Sequence, residues 1–273
     1  MVFMMGDGIE QTWLSAYMYG KGVDAATLFS VYGLTVAISS WLSGVIAETF
    51  SIRKTMLAGF FIYMAGVLGF AFWGVAGMNT TVLMLTYALK GLGYPLFAYT
   101  FMVWITYRVD KSRLSSAQGW FWFVFTGGLN VLGAYYGVFA KNTIGVIPTL
   151  ASAALFATVG AVSALIVNKS ESSNAFAEQE QPQIGNKILE MFRGLCIIVR
   201  EPKVLIGGIV RVINTTSQFA FVVFMPLYMA QYGVTEGNWA TKMPPEVRNA
   251  IGEKNLSRVA LPIVYDAKIR LFS

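Results

Sequence analysis

The sequence predicts an all-α membrane protein, on the basis of its composition, the length of its apolar stretches and the placement of its basic residues. Of the 273 residues, 56% are hydrophobic and only 12% are charged, whereas about 25% of the residues in a soluble domain are charged. The mean hydropathy is +0.58. A lipid bilayer is therefore the expected surrounding of this chain.

Composition also excludes several classes of function. The chain has no histidine and one cysteine, so metal sites built on these residues and an internal disulfide are excluded. We expect neither a metal nor a cofactor. The net charge of +6 indicates cytoplasmic loops rather than a nucleic-acid partner, because the chain is so apolar.

Seven stretches approach the length of about 20 apolar residues that a transmembrane helix needs. The first six are joined by short connections, so consecutive helices are expected to pack antiparallel. Residues 1–167 then form a six-helix bundle, 168–203 a loop with an amphipathic helix, 204–232 a seventh helix, and 233–273 a polar tail. The stretches are Val2–Tyr19, Ala25–Ala47, Thr55–Gly77, Val82–Tyr107, Ser115–Ala140, Ile144–Val167 and Val204–Tyr232.

Basic residues are concentrated after the second, fourth and sixth stretches. Arg53 and Lys54 follow the second, and five Lys or Arg residues lie between Lys169 and Lys203. Because positive residues stay in the cytoplasm, this distribution places the N-terminus and the 168–203 loop on the cytoplasmic side.

Four charged residues fall within the predicted spans: Asp7, Glu10, Lys90 and Arg211. Ionisable residues within the bilayer are energetically costly and indicate a functional site. Their charges sum to zero, so Lys90 is expected to pair with Asp7 or Glu10. The alternative is that these pairs only hold helices together.

Aromatic and amide side chains recur at helical spacing on three of the spans. In the fourth, an aromatic row shares one face with Lys90, which suits a sugar-like ligand whose C–H groups lie against rings. An ordinary packing face explains the same row. With Lys90 and Arg211, the candidate substrate-binding residues are Tyr94, Phe97, Gln118, Trp122, Asn130, Asn214 and Gln218.

The connection between the second and third spans resembles a loop signature of the major facilitator superfamily, in which a glycine, an acid four residues later and a basic pair lie between helices 2 and 3. Thr49 replaces the usual arginine of that signature, and Ser51 replaces its second glycine. The resemblance implies a cytoplasmic gate. The matching residues are Gly44, Glu48, Arg53 and Lys54.

Two further strings resemble the polyol permease group of that superfamily, which carries ribitol and D-arabinitol. They are Met-Gly-Asp-Gly-Ile-Glu-Gln in the first span and the ten residues from Lys90 to Tyr99 in the fourth. The resemblance covers Val2 to Tyr232. It implies the six-helix N-terminal half of a major facilitator fold plus a seventh helix, and a proton symporter for a sugar alcohol in the bacterial inner membrane. Asp7 or Glu10 then carries the coupling proton.

The same resemblance implies twelve helices, so we expect a chain truncated after the seventh, which needs the C-terminal half or a partner subunit for transport. Two alternatives stay open. An organic acid such as 2-oxoglutarate would use Lys90 and Arg211 as partners. A non-transporting half-carrier would act as an interaction or regulatory membrane protein. An enzyme is not expected, because no nucleophile–base set is present.

Overall fold

The computed structural model describes residues 1–169 and 201–231, and within these ranges the chain forms helices and no strand. The predicted all-α class is therefore confirmed. The predicted amphipathic loop helix and the polar tail lie outside the described residues. The helices are α1 Val2–Gly8, α2 Leu14–Gly20, α3 Ala25–Phe50, α4 Ile52–Gly69, α5 Thr80–Arg108, α6 Leu114–Thr126, α7 Ala134–Ile144, α8 Val146–Lys169 and α9 Pro202–Gln231.

Four of the predicted spans are helices that are both long and apolar enough to cross a membrane. These are Ala25–Gly44, Ile52–Val75, Leu114–Ile144 and Val146–Val167. Two of them contain a π-helical segment, Phe70–Val75 after α4 and Gly127–Gly133 between α6 and α7. Helices α5 and α9 have 29 and 30 residues, which at 1.5 Å per residue also exceeds the thickness of a bilayer core.

The first predicted span is not one continuous helix. Residues Ile9–Trp13 form turns between α1 and α2. The indole N–H of Trp13 donates to the Ile9 carbonyl at 2.7 Å, which satisfies a backbone group at the break. A Cβ at Gly8 would overlap the Leu129 carbonyl, and one at Gly137 would overlap that of Ile9. Glycine at both positions therefore lets the broken segment lie directly against the fifth span.

Helix α5 is the centre of the bundle because it packs along both α3 and α4. A Cβ at Gly66 would overlap the backbone of Lys90, and a Cβ at Gly93 would overlap that of Tyr63. Side-chain-free surfaces thus bring the two backbones together, as in other close-packed membrane helices. Helix α1 packs against α8 and the Gly127–Gly133 segment, and α9 contacts α2 and α3.

Asp24 defines the start of α3. Its carboxylate accepts from the Thr27 hydroxyl and from the backbone N–H groups of Ala26 and Thr27. The hydrogen bond from the Thr27 hydroxyl is the main reason that the pKa of Asp24 is lowered from its ordinary value. Asp24 is thus a conventional N-cap, and its carboxylate has a structural role outside the bundle core.

Ser51, which stands where the loop signature usually has its second glycine, joins α3 to α4 with φ +81°. A side chain is strained in this region and glycine is not. Ser51→Gly is therefore expected to raise the free energy of unfolding by about 1 kcal/mol. A denaturant titration of the detergent-solubilised chain measures this difference. Ser51→Ala, which keeps the Cβ, should give no gain, and equal stability of the two variants would show that position 51 is unstrained.

Candidate functional site

Three charged side chains meet in the interior of the bundle. The Lys90 ammonium lies 2.6 Å from Glu10 Oε1 and 3.2 Å from Asp7 Oδ1. Only 3% of Asp7, 4% of Glu10 and 1% of Lys90 is exposed. The predicted ion pair is therefore confirmed, and Lys90 pairs with both carboxylates at once. We call these three residues the ion cluster.

Each member of the ion cluster comes from a different local structure. Asp7 lies in the last turn of α1, and Lys90 lies near the middle of α5. Glu10 belongs to the turn residues between α1 and α2. The break in the first span therefore places Asp7 on a regular helix and Glu10 on the turn residues that follow it.

Tyrosines from three helices surround the ion cluster. The Tyr32 hydroxyl donates to both Asp7 oxygens at 3.0 and 3.1 Å, and the Tyr63 hydroxyl lies 3.3 Å from Asp7 Oδ1. The rings of Tyr32, Tyr63 and Tyr87 have their centroids 5.7–5.8 Å from the Lys90 Nζ, within the range of cation–π attraction.

The ion cluster contains two acids and one base, so its formal charge is −1 when all three are ionised. Removing an uncompensated charge from water costs several kcal/mol, even after relaxation of the protein. One bound proton on a carboxyl group cancels that charge. The cluster thus has the composition of a site that can hold and release a single proton.

The predicted aromatic row on α5 faces inward between residues 87 and 97, where Tyr87, Lys90, Tyr94 and Phe97 are all buried. The members of this row make different contacts. Phe97 stacks on Phe3 of α1 with ring centroids 4.3 Å apart, so its observed contact is helix packing. Its predicted contact with substrate stays a prediction.

The other predicted binding residues are spread over the bundle. Gln118 and Trp122 are half-buried on α6, and Asn130 is half-buried in the π-helical segment beside α1. Asn214 is exposed on α9. Arg211 and Gln218 belong to α9, but their side chains lie outside the description. The structure therefore brings Lys90 together with the two acids. The role of the three α9 residues in substrate binding stays a prediction.

The loop-signature residues lie at the junction of α3 and α4. Gly44 is in α3, and Arg53 and Lys54 are in the first turn of α4, half-buried and exposed respectively. Glu48 lies on the last two turns of α3, and its side chain is not described. The structure places the four residues near one end of the bundle, and a gating role stays a prediction.

Sequence analysis missed Tyr32, Tyr63 and Tyr99. All three lie in or beside apolar spans where a single tyrosine has no distinctive spacing. The signal that was available for the first two is that each occurs within an uncharged span, where a buried hydroxyl needs a polar partner. Tyr99 lies off the aromatic row, and only the structure shows its contact with Tyr94.

Comparison with known proteins identifies the family. Residues 1–245 match the model of the Major Facilitator Superfamily. The chain belongs to this superfamily. The chain is accordingly a multi-pass membrane protein, and the predicted membership of this superfamily is confirmed.

Relatives in the superfamily are named as carriers rather than enzymes. An alpha-ketoglutarate permease of Bacillus subtilis is 44% identical over 241 residues, which are 87% of this chain and 54% of that protein. A ribitol transporter and a D-arabinitol transporter of Klebsiella pneumoniae are 36% and 35% identical, each over 87% of this chain and 56% of its own length. The predicted likeness to polyol carriers is confirmed. This chain spans about half the length of these relatives.

Proposed function

We propose that this chain is part of a proton-linked carrier that moves a sugar alcohol across the bacterial inner membrane, with its N-terminus and the 168–203 loop in the cytoplasm. The observation that carries the proposal is the buried ion cluster. A carrier that couples a proton to a solute needs a site inside the membrane whose charge changes as the proton binds. Two carboxylates that share one ammonium meet that requirement.

Within the cluster, Glu10 exchanges the proton and Asp7 holds the surrounding helices. Asp7 accepts hydrogen bonds from Tyr32 and Tyr63 in addition to its contact with Lys90. These contacts tie the Asp7 carboxylate to α3 and α4 as well as to Lys90. Glu10 has Lys90 as its hydrogen-bond partner, and it belongs to the turn residues of the helix break.

A neutral polyol fits the charge balance better than an acid does. The Lys90 ammonium already faces two carboxylates, so a dicarboxylate substrate would have to displace one of them or bring a net negative charge into the site. A polyol needs only hydrogen bonds and ring faces. Among the predicted binding residues, Tyr94, Trp122 and Asn130 carry such groups.

A carboxylate substrate is the second candidate, and the 44% identity with a protein named as an alpha-ketoglutarate permease favours it. In that case Lys90 and Arg211 would bind the two carboxylates of the substrate. Glu10 would have to be protonated before the substrate entered, which ties substrate binding to proton binding even more closely.

Transport also needs a path between two bundles that open alternately. We propose that a second bundle, in further sequence or in a partner subunit, supplies the other wall of that path. Gly44, Glu48, Arg53 and Lys54 would then help close the cytoplasmic side.

Substrate competition tests the proposal. The 273-residue chain, purified into lipid nanodiscs, is incubated with labelled ribitol and an excess of unlabelled D-arabinitol or 2-oxoglutarate. We expect D-arabinitol to displace ribitol and 2-oxoglutarate to have no effect. Displacement by 2-oxoglutarate alone, with labelled 2-oxoglutarate binding directly, would reject the polyol and support the second candidate. Binding of none of the three, also when the second bundle is present in the nanodisc, would favour a non-transporting interaction protein.

A further inference from the structure

A second cluster of polar and aromatic side chains lies one helical turn from Lys90 along α5. The hydroxyls of Tyr94 and Tyr99 are 2.9 Å apart. Both rings face Phe125 of α6, with centroids 6.2 and 6.3 Å away, and Trp122 lies 6.3 Å from Tyr99 and 5.2 Å from Phe125. We call these four residues the tyrosine-pair subsite.

The subsite is only partly enclosed. Tyr94 and Phe125 are each 7% exposed, whereas Tyr99 and Trp122 are half-buried. Tyr94 thus forms its buried end, one turn from Lys90 on α5, and Tyr99 and Trp122 form its more exposed end. A ligand that contacts Lys90 and lies along α5 would meet these rings next.

The paired hydroxyl groups and the partial exposure of Tyr99 distinguish the subsite from ordinary aromatic packing. Phenylalanine would fill the same space, and a tyrosine hydroxyl away from water carries a desolvation cost unless it is hydrogen-bonded. The mutual hydrogen bond meets that need. A hydroxyl group has one hydrogen and two lone pairs, so the Tyr99 hydroxyl can make a further hydrogen bond. Tyr99 is half-buried, so the hydroxyl group of a ligand can approach its hydroxyl.

The chemistry of the subsite selects against charge. None of its four side chains is a Lys or Arg, so a carboxylate there would lose its hydration without gaining a cation. A chain of CH(OH) groups suits it, because rings cover C–H faces while the hydroxyl pair accepts and donates hydrogen bonds.

We propose that the tyrosine-pair subsite binds the uncharged, hydroxylated part of the substrate, and that Tyr99 determines specificity for a polyol over an acid. This inference rests on the proposed function, because it assigns the part of the polyol that lies away from the ion cluster. Tyr99 acts by hydrogen bonding to a substrate hydroxyl, and Trp122 and Phe125 form the ring wall.

Binding of ribitol to the full chain in nanodiscs, followed by tryptophan fluorescence, tests the inference. Ribitol should change the emission of the wild-type chain, and that change should disappear in Trp122→Phe. Trp120→Phe is the matched control, since Trp120 is exposed on the same helix and pairs with Phe123 outside the subsite. Tyr99→Phe, which removes only the hydroxyl, should weaken ribitol binding by about threefold to tenfold. It should leave any binding of 2-oxoglutarate unchanged.

The outcomes separate this inference from the proposed function. If ribitol binds but Tyr99→Phe and Trp122→Phe behave like the wild type, the subsite is wrong and the polyol proposal stands. If Tyr99→Phe weakens ribitol and 2-oxoglutarate equally, the hydroxyl is not a specificity determinant and the inference is again wrong. If the wild-type chain binds no polyol, the proposed substrate fails first and the inference fails with it.

Discussion

Replacement of Lys90 by methionine is expected to lower the free energy of unfolding by about 3–5 kcal/mol, because removing one partner of a buried ion pair leaves uncompensated charge. Here the variant leaves two acids, Asp7 and Glu10, facing each other with no cation between them. Methionine keeps the length of the side chain, so the loss of packing is small. Unfolding by a graded denaturant, followed by tryptophan fluorescence in detergent, measures the change.

Two further variants decide whether charge is the cause. Lys111→Met removes an exposed lysine in the connection after α5, and should change the free energy of unfolding by no more than about 0.5 kcal/mol. Combining Lys90→Met with Asp7→Asn and Glu10→Gln removes all three charges and should recover most of the lost stability, since neutral replacement of a buried ion cluster is often tolerated. If the triple variant is as unstable as Lys90→Met, lost packing rather than unpaired charge explains the effect.

Sequence alone was sufficient to predict the class of the protein and the partners within its charged centre. Charges that lie in apolar spans have few places to go, so Lys90 could be paired with the acids of the first span before any coordinates were known. The same reasoning predicted the order of the spans, because length and hydropathy decide which segments cross a bilayer. Both inferences depend on the large free-energy cost of placing polar or charged groups in the bilayer, which can be judged from the sequence alone.

Other features could not be predicted, because they depend on close contacts between segments that no periodic pattern in the sequence reveals. The break at Ile9–Trp13 is one, since it depends on backbone approaches at Gly8 and Gly137, and glycine is frequent throughout membrane helices. The cage around Asp7 is another, because Tyr32 and Tyr63 come from different helices and meet only after packing. The stacking of Phe97 on Phe3 is a third, because the spacing of residues on α5 does not reveal which ring of α1 it contacts.

The helix break makes Glu10 the more informative of the two acids. A carboxylate that exchanges a proton must alternate between an ionised form held by Lys90 and a neutral form released from it. Glu10 makes the short contact with Lys90, at 2.6 Å, and lies among turn residues that can rearrange without unwinding a helix. Asp7 is fixed by two tyrosine hydroxyls and lies within α1. Proton binding at Glu10 would therefore change a local contact and leave the helix packing at Asp7 in place.

Glu10→Gln is accordingly expected to abolish uphill accumulation of ribitol while preserving exchange of internal for external ribitol. Glutamine matches the shape of a protonated glutamate but has no proton to release. The variant therefore behaves as a carrier that is permanently protonated at residue 10. The measurement uses proteoliposomes that contain the carrier with whatever second bundle transport needs, under an imposed pH gradient. With ribitol at equal concentration on both sides at the start, the accumulation ratio should rise well above one for the wild type and stay at about one for the variant, because one-for-one exchange moves no net ribitol.

The control for Glu10→Gln is Asp24→Asn, which neutralises an exposed acid but keeps an oxygen that can cap α3. It should accumulate ribitol like the wild type. Asp7→Asn gives the comparison within the site: it should also lose accumulation, with a measurable loss of stability because the Tyr32 and Tyr63 contacts weaken. If Glu10→Gln accumulates ribitol normally while Asp7→Asn does not, the coupling proton belongs to Asp7. Normal accumulation in both variants would remove the ion cluster from coupling altogether and leave it a structural contact between α1 and α5.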